Sequence, residues 1–563
     1  MKNSPLTSPL QIRTDLAAAM TAVLSAEFQT DQPAVEVLPS RNLSFGDLAC
    51  SSAMPLAGKL GKPPRDVAQV MAEAVRNNFP QVEKVSVDGP GFLNFTLSAE
   101  YLSEFTAAVA RGGIGQFIPS DGDGKTALVE FVSSNPTGPL TVGHCRQAVL
   151  GDAVSRLLEA VGWNVQREYY FNDAGRQMDR LAESLAARYM NLLGAEMIIP
   201  EGGYQGEYIG CWAEDFRKES GDLLLWPDHA NLFRDYAGNR AFKLISGDLE
   251  LLGIKFDRYF AESELIPDAV ESAIGLLREK QLVYEDFEVP VKLWLKLSEM
   301  GRPEDRVVVR EDGTCTYRMP DIAYHLNKFH RGFDLMVDIF GSDHIDTCKD
   351  VEAALGALIG KEEVSRRLRT ILHQFVTLVR GGTKVKMSTR AGNFVTLRDL
   401  VEEVGSADVV RYIFLTRRAE AHMDFDLEAA ASRNEENPVF YVQYAFARIA
   451  GILRNIDDPL SLLIADPAKL SSLLASQRER DLMRLLETIP LKISAAAMAL
   501  EPHRIPDLLA EISTGFHGFY QHHRVVDSEN TEITAARLTL CMAVQNTLSD
   551  LLKILGVRAP EKM

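Results

Sequence analysis

SSNPTGPLTVGHCRQAVLGDA, from Ser133 to Ala153, follows directly on the apolar run TALVEFV, and the fold turns on how it is read. Two prolines and two glycines crowd a short loop, and a histidine then opens a segment whose apolar spacing predicts a helix. A strand, a Gly-bearing turn and a helix N-terminus together suit a nucleotide, because free amide N–H groups and the positive end of the helix dipole favour phosphate. Gly143 leaves room for a base or ribose against the backbone, and His144 can donate to a phosphate oxygen. A βα turn in which proline and glycine serve geometry alone would read the same way. The loop by itself does not decide between them.

Outward from this stretch, strand-like runs alternate with helical ones: TALVEFV, CRQAVLGDAVSRLLEAVG, NVQREYYFND, and later FDLMVDIFGSDH followed by DVEAALGALIG. Alternation at this spacing predicts βαβ units and a doubly wound parallel α/β sheet over residues 125–433, interrupted by a mainly helical insertion at about 183–288. Upstream, residues 1–118 read as a small α/β domain with a helix in RDVAQVMAEAVRNNF, strand pattern in VEKVSVDGPGFLNFTL and a second helix in YLSEFTAAVARG. The turn-rich IPSDGDGKT marks the boundary. From Asn434 to Met563 strand patterns vanish, and four long amphipathic runs predict an all-helical bundle.

Composition narrows the function classes. The chain of 563 residues is 46% hydrophobic and 25% charged, ordinary for a globular protein of several domains. No apolar run is long enough to span a bilayer, and the first twenty residues carry no signal-peptide core. The six cysteines are scattered without a C-x-x-C pair, which argues against a disulfide framework or structural zinc and for a reducing cytoplasm. A net charge of −18 argues against nucleic acid at face value. Between Tyr441 and Met563, however, acidic and basic residues nearly balance, so the excess lies upstream.

Two further stretches carry chemistry. KVKMSTRAGNFVTL places Lys384, Lys386, Ser388 and Arg390 on a short Gly-flanked segment suited to charge developing on a leaving pyrophosphate. It reads equally as a solvated basic loop. TYRMPDIAYHL offers Tyr317 and Asp321 four apart, while Glu130 and Asn135 border the strand before the turn. Carboxylates in such a set match the fork of donors on a guanidinium, although each also reads as an ordinary salt bridge or cap.

Together these residues carry a resemblance. FVSSNPTGPLTVGH resembles the HIGH region of class I aminoacyl-tRNA synthetases, and KMSTR resembles their KMSKS loop. EFVSSNPTGPL, YRMPDIAYHLNKF, KMSTRAGNFVTLRDLVEEVG, HMDFDLEAA, NEENPVFYVQYAFARI and the terminal LGVRAPEKM are similar to bacterial arginyl-tRNA synthetases, in order and over nearly the whole chain. SFGDLACSSAMPLAG and GPGFLNFTL near the N-terminus fit as well.

The resemblance implies a Rossmann-type catalytic domain, an N-terminal domain contacting the outer corner of tRNA, and a helical anticodon-binding domain over 434–563. It implies that arginine is joined to ATP, with Mg²⁺, and passed to the 2′-hydroxyl of the terminal adenosine of the arginine tRNA. Carried over by position, Pro136, Gly138, Thr141, Gly143, His144, Lys384, Lys386, Met387 and Arg390 meet ATP, with His144, Lys386 and Ser388 catalytic. Glu130, Asn135, Tyr317, Asp321 and His344 meet arginine. Tyr441, Tyr444, His522, His523, Arg524 and Met563 meet tRNA, the exposed candidates being the two histidines and Arg524, since aromatics at helical spacing are usually core. A monomer without membrane attachment is expected, and the insertion reads as too short for a hydrolytic editing domain.

Three places depart from the family's usual wording: Thr141 replaces the first motif histidine, Thr389 a lysine, and Ile345–Asp346 a His–Gly pair. Asp346 brings a charge that either favours arginine or salt-bridges locally. These departures leave open a synthetase-like paralogue that binds tRNA without activating arginine. A tRNA-independent ligase on the same fold is a third reading, one that leaves the helical C-terminal domain without a role.

Overall fold

The run TALVE forms β1 (Thr126–Glu130), with four of its five residues buried, the continuous burial of a strand covered on both faces. In this computed structural model, which describes residues 7–31, 33–40, 43–76, 78–286, 291–385, 395–434 and 437–563, β1 lies at the centre of a five-stranded sheet. Its partners are β2 (Asn164–Phe171), β3 (Arg258–Ala261), β4 (Leu335–Gly341) and β5 (Leu368–His373). The order is β5-β4-β1-β2-β3 and every pair is parallel. The predicted doubly wound sheet is therefore present.

Helix α1 (Val142–Ala160) follows β1 and is buried along most of its length, as a crossover helix against the sheet centre should be. Helices α2 (Arg318–His330) and α3 (Ile345–Ile359) flank β4 in sequence. Their apolar faces join one core with the strands, including Leu128, Phe260, Ile322, Met336 and Leu355.

The segment expected as a helical insertion contains the long helices Arg176–Leu192, Glu207–Ser220 and Ala230–Leu251, packed on a separate core around Trp212, Phe216 and Phe233. The main sheet resumes inside that segment, because β3 pairs with β2 from Arg258 to Ala261. Beyond it, Val283–Asp286, Lys292–Leu295 and Arg306–Val309 form a three-stranded antiparallel sheet that the helix-strand alternation did not announce. A small mixed sheet of β6 (Val376–Arg380), β7 (Thr383–Lys384) and β8 (Met423–Asp426) completes this unit, residues 122–433.

The remaining unit joins the two ends of the chain, residues 1–121 and 434–563. Its N-terminal part has a four-stranded sheet with the hairpin Val82–Asp88 and Phe92–Leu97. Helix Pro9–Phe28 buries Ile12, Leu16, Met20 and Leu24, one residue per turn. Arg13 of that helix bonds Glu487 at 3.2 Å, and both side chains are buried. Glu487 lies on Gln477–Ala499, one of four long bundle helices with Pro438–Leu453, Arg504–His522 and Thr531–Leu555. No helix among the described residues is long and apolar enough to cross a membrane.

Candidate active site

The chain leaves β1 toward β2 on one side and returns to β4 on the other, so the strand order reverses between β1 and β4. In open parallel sheets the crevice outside the carboxyl ends at such a reversal is where ligands bind. A cavity of about 830 Å³ lies there. It is lined by the carboxyl ends of β1, β2 and β4 and by residues at the N-termini of α1, α2 and α3, namely His144, Asp321 and Thr347 among others. Three helix N-termini at one cavity give it a set of positive dipole ends.

The turn after β1 is strained where it meets the cavity. Val132 and Ser133 have φ of 68° and 40°, a left-handed backbone that costs a β-branched residue roughly 1–3 kcal/mol. The turn folds Ser133 back over the strand end, where its hydroxyl donates to Glu130 at 2.8 Å and accepts from the Tyr170 N–H at 3.1 Å.

Thr141 is the N-cap of α1. Its main-chain N–H donates to His144 Nδ1 at 3.2 Å. A main-chain N–H can only donate, so Nδ1 is the acceptor and the ring proton sits on Nε2. Burial pushes the imidazole pKa down, holding His144 neutral. The residue that replaces the first motif histidine thus caps the helix and fixes the tautomer of the second. Pro136, Gly138, Thr141, Gly143 and Lys384 do not line the cavity. Gly138 is spoken for by the protein itself, since a Cβ there would meet the Tyr208 hydroxyl at 2.8 Å. Beside Gly143 a Cβ would meet only Thr141 Oγ1 at 3.7 Å, so that space is open to a ligand.

All five residues expected at arginine, Glu130, Asn135, Tyr317, Asp321 and His344, line the one cavity. They are not equally available. Glu130 is buried, one carboxylate oxygen accepting from Ser133 and the other taking the Lys328 ammonium. Lys328 also bonds Asp338 at 2.7 Å, and His325 Nε2 bonds the other Asp338 oxygen at 2.8 Å. Burial opposes each of these charges. Lys328 and His325 nevertheless hold the Asp338 carboxyl far below its usual range, and Asp338 and Glu130 keep the Lys328 ammonium firmly charged. Asp321, in the first turn of α2, makes no ion pair among the described residues. Burial, with Glu130 and Glu262 nearby, pushes its carboxyl up to about 7. Glu262 accepts from the Tyr170 hydroxyl at 3.1 Å, and burial raises it too. Arg176 and Arg310 also line the cavity, yet with Asp343 and Glu352 added its carboxylates still outnumber its cations. Such a surplus of acid suits a cationic ligand.

Glu262, Asp338, His325 and Lys328 were not singled out in the sequence. A signal for the last two was present, because Asp321, His325 and Lys328 follow the i, i+4, i+7 rule of one helix face. Asp346 settles as a local partner: it is exposed and bonds Arg302 at 3.2 Å. Lys386, Met387, Ser388, Thr389 and Arg390 lie outside the described residues.

The chain is similar to known proteins along nearly its whole length. Residues 10–97 match the family described as the arginyl tRNA synthetase N terminal domain. Residues 108–205 and 231–413 match the tRNA synthetases class I (R) catalytic domain, and 442–563 the DALR anticodon binding domain. The chain is 43% identical to an arginine–tRNA ligase of Desulfotalea psychrophila over 92% of its length and 93% of that protein's. It is 41% identical to one of Thermotoga petrophila over 98% and 99%. The chain belongs to the arginyl-tRNA synthetase family. The arginyl-tRNA synthetase of Thermus thermophilus shares its fold, with a TM-score of 0.75 at 21% identity over 98% of this chain and 100% of that one.

In the anticodon-binding domain of this synthetase family member, Tyr441 and Tyr444 lie half-buried on helix Pro438–Leu453. Tyr444 stacks on Phe440 at 6.2 Å between centroids and on His517 at 5.9 Å, with the Arg448 guanidinium 4.6 Å over its ring. His522, Arg524 and Met563 are exposed. His523, expected to be exposed, is half-buried instead, because its ring stacks on Phe519 at 5.3 Å.

Proposed function

We propose that the protein is an arginine–tRNA ligase that activates arginine with ATP and transfers it to the 2′-hydroxyl of the terminal adenosine of its tRNA. The observation that carries this reading is the surplus of carboxylate in a cavity at the sheet reversal, in a chain that matches the arginine family over nearly its whole length. Arginine's guanidinium is always charged and forms paired bonds to carboxylates, so Asp321 and Glu262 are its partners, with Asn135, Tyr317 and His344 lining the same cavity. Binding that cation returns Asp321 to its ionised form. Glu130, already neutralised by Lys328, supports the pocket floor more than it supplies free charge.

With the side chain held at the acidic end, an oxygen of the arginine carboxylate attacks the α-phosphorus of ATP in line and pyrophosphate leaves. Positioning and electrostatic stabilisation dominate such a displacement. His144 donates its Nε2 proton to a phosphate oxygen as a neutral group. Mg²⁺ accompanies ATP as part of that substrate. The tRNA hydroxyl then attacks the arginyl carbonyl and AMP leaves. Tyr441, Tyr444, His522, His523, Arg524 and Met563 belong to the surface that meets tRNA, the aromatic group around Tyr444 offering planes for unstacked bases. A cytoplasmic monomer fits this reading.

Arginine-dependent ATP–pyrophosphate exchange, with and without tRNA and with lysine and glutamine as controls, tests it. Exchange with arginine and tRNA alone is expected. Tight tRNA binding without exchange under any condition would replace the ligase by a binding paralogue.

A further inference from the structure

Two residues beyond His144, helix α1 carries a second group whose environment no expectation covered. Arg146 is 2% exposed, among the most buried large side chains of the protein. Its guanidinium makes three hydrogen bonds, all to main-chain carbonyls: Gln374 at 2.6 Å, Arg418 at 2.9 Å and Ala421 at 3.0 Å. Gln374 directly follows β5 and leads into the β6–β7 hairpin, and Ala421 lies two residues before β8. The Gln374 N–H in turn donates to the Ala419 carbonyl at 3.0 Å. One planar fork thus ties the first turns of α1 to both approaches of the small sheet β6–β7–β8.

The other end of the same chain segment is tied to α1 as well. Thr141 forms an antiparallel bridge with Thr396, and the Leu397 N–H donates to the Leu140 carbonyl at 2.7 Å. In sequence KMSTR falls between these two anchors, after Gln374 and before Thr396. The turn that fixes the His144 tautomer is therefore held in register with the start of that segment through Arg146 and with its end through Thr141.

We infer that Arg146 is a positioning residue for adenylate formation, setting the His144 turn against the chain that bears the KMSTR motif. This rests on the ligase reading. A guanidinium is the group the task requires, since its donors point in fixed directions and reach three carbonyls at once, whereas an ammonium is a shorter point charge. The role is specific to the first step, in which phosphate charge is handled, and not to transfer onto tRNA.

Wild type, Arg146→Lys and Arg146→Gln are compared in two single-turnover reactions with tRNA present: adenylate formation from arginine and ATP, and transfer from added arginyl-adenylate. The ratio of the two rates does not depend on how much of a preparation is folded, and the glutamine variant gives a second reading if the lysine variant accumulates poorly. Adenylate formation is expected to slow by about 100-fold in both variants, the scale of a small misplacement of reacting groups, with transfer and the arginine KM nearly unchanged. Arg411→Lys is the control, because Arg411 is equally buried but bonds Asp152 and the Leu252 carbonyl. It is expected to lower the melting temperature while leaving the rate ratio at the wild-type value. Equal slowing of both steps, or wild-type adenylate formation in folded Arg146→Lys, would overturn the role and leave the ligase reading intact. Absence of exchange in wild type would overturn both.

Discussion

Lys328 and Arg13 are both buried cations held by buried carboxylates, one in each unit of the chain. Around Arg13 the charges balance. It bonds Glu487, while the neighbouring Asp47 bonds Arg484 at 2.9 Å. Around Lys328 they do not. Glu130 and Asp338 take the ammonium, and Asp321 and Glu262 remain beside the cavity with carboxyls that burial has raised. A balanced buried cluster specifies how helices dock. An unbalanced one beside a cavity is completed by a ligand of the missing charge.

Four measurements press on that difference, beginning with the largest effect. Lys328→Met and Arg13→Met each strand buried carboxylate and are expected to destabilise folding by about 3–5 kcal/mol, read from denaturant unfolding. Only Lys328→Met is expected also to disturb the arginine KM of the protein that still folds, and an equal disturbance from Arg13→Met would erase the contrast. Next, His144→Ala removes a neutral donor from the nucleotide end and is expected to slow adenylate formation by about 10²–10³-fold. Its tRNA affinity should stay near wild type, and a single-turnover assay beside a binding titration checks both.

Asp321→Asn keeps the shape of the acidic end and removes its charge. The arginine KM should rise by roughly 10- to 100-fold, the worth of a charged hydrogen bond, with the ATP KM little changed. Comparable rises in both would displace Asp321 from the guanidinium. The smallest effect is the dependence on pH. A carboxyl raised to about 7 is protonated below that pH and loses its hold on a cation. The arginine KM at saturating ATP is therefore expected to climb by about tenfold in all as pH falls from 8 to 6, and to flatten in Asp321→Asn.

The parallel sheet could be read from TALVEFV and its successors because buried parallel strands are continuous apolar runs bounded by turn residues. The edges of the fold were harder to read. Helix Pro9–Phe28 places Ile12, Leu16, Met20 and Leu24 at a clear spacing, yet the alanines between them blur the contrast between faces. The antiparallel strands Val283–Asp286 and Lys292–Leu295 are four residues each, too short for period-two alternation to stand out.

At the site, the residues at arginine lay within two contiguous motifs and a third short one. The motif wording brought Glu130, Asn135, Tyr317, Asp321 and His344 to one place. It did not reveal which carboxylates were already neutralised, because Asp338 comes from a strand whose apolar pattern hides a single acid. Nor did it reveal Arg146, whose partners lie at least 228 positions along the chain. Such pairings are properties of the folded chain and leave no local pattern.

The joining of residues 1–121 with 434–563 has a consequence for the order in which the protein is made. Helix Pro9–Phe28 is synthesised early, but the Glu487 that neutralises its Arg13 is synthesised late. Domains fold as their residues emerge, so the catalytic unit, encoded entirely between those ends, can complete its sheet while Arg13 still waits for Glu487. The apolar stripe of that helix finds its main partner early, in helix Pro64–Val75, so what waits is the charge of Arg13 rather than the stripe. Truncation ahead of Glu487 would therefore strand the buried charge of the first helix, at the opposite end of the sequence, while every residue of the catalytic unit stayed in place.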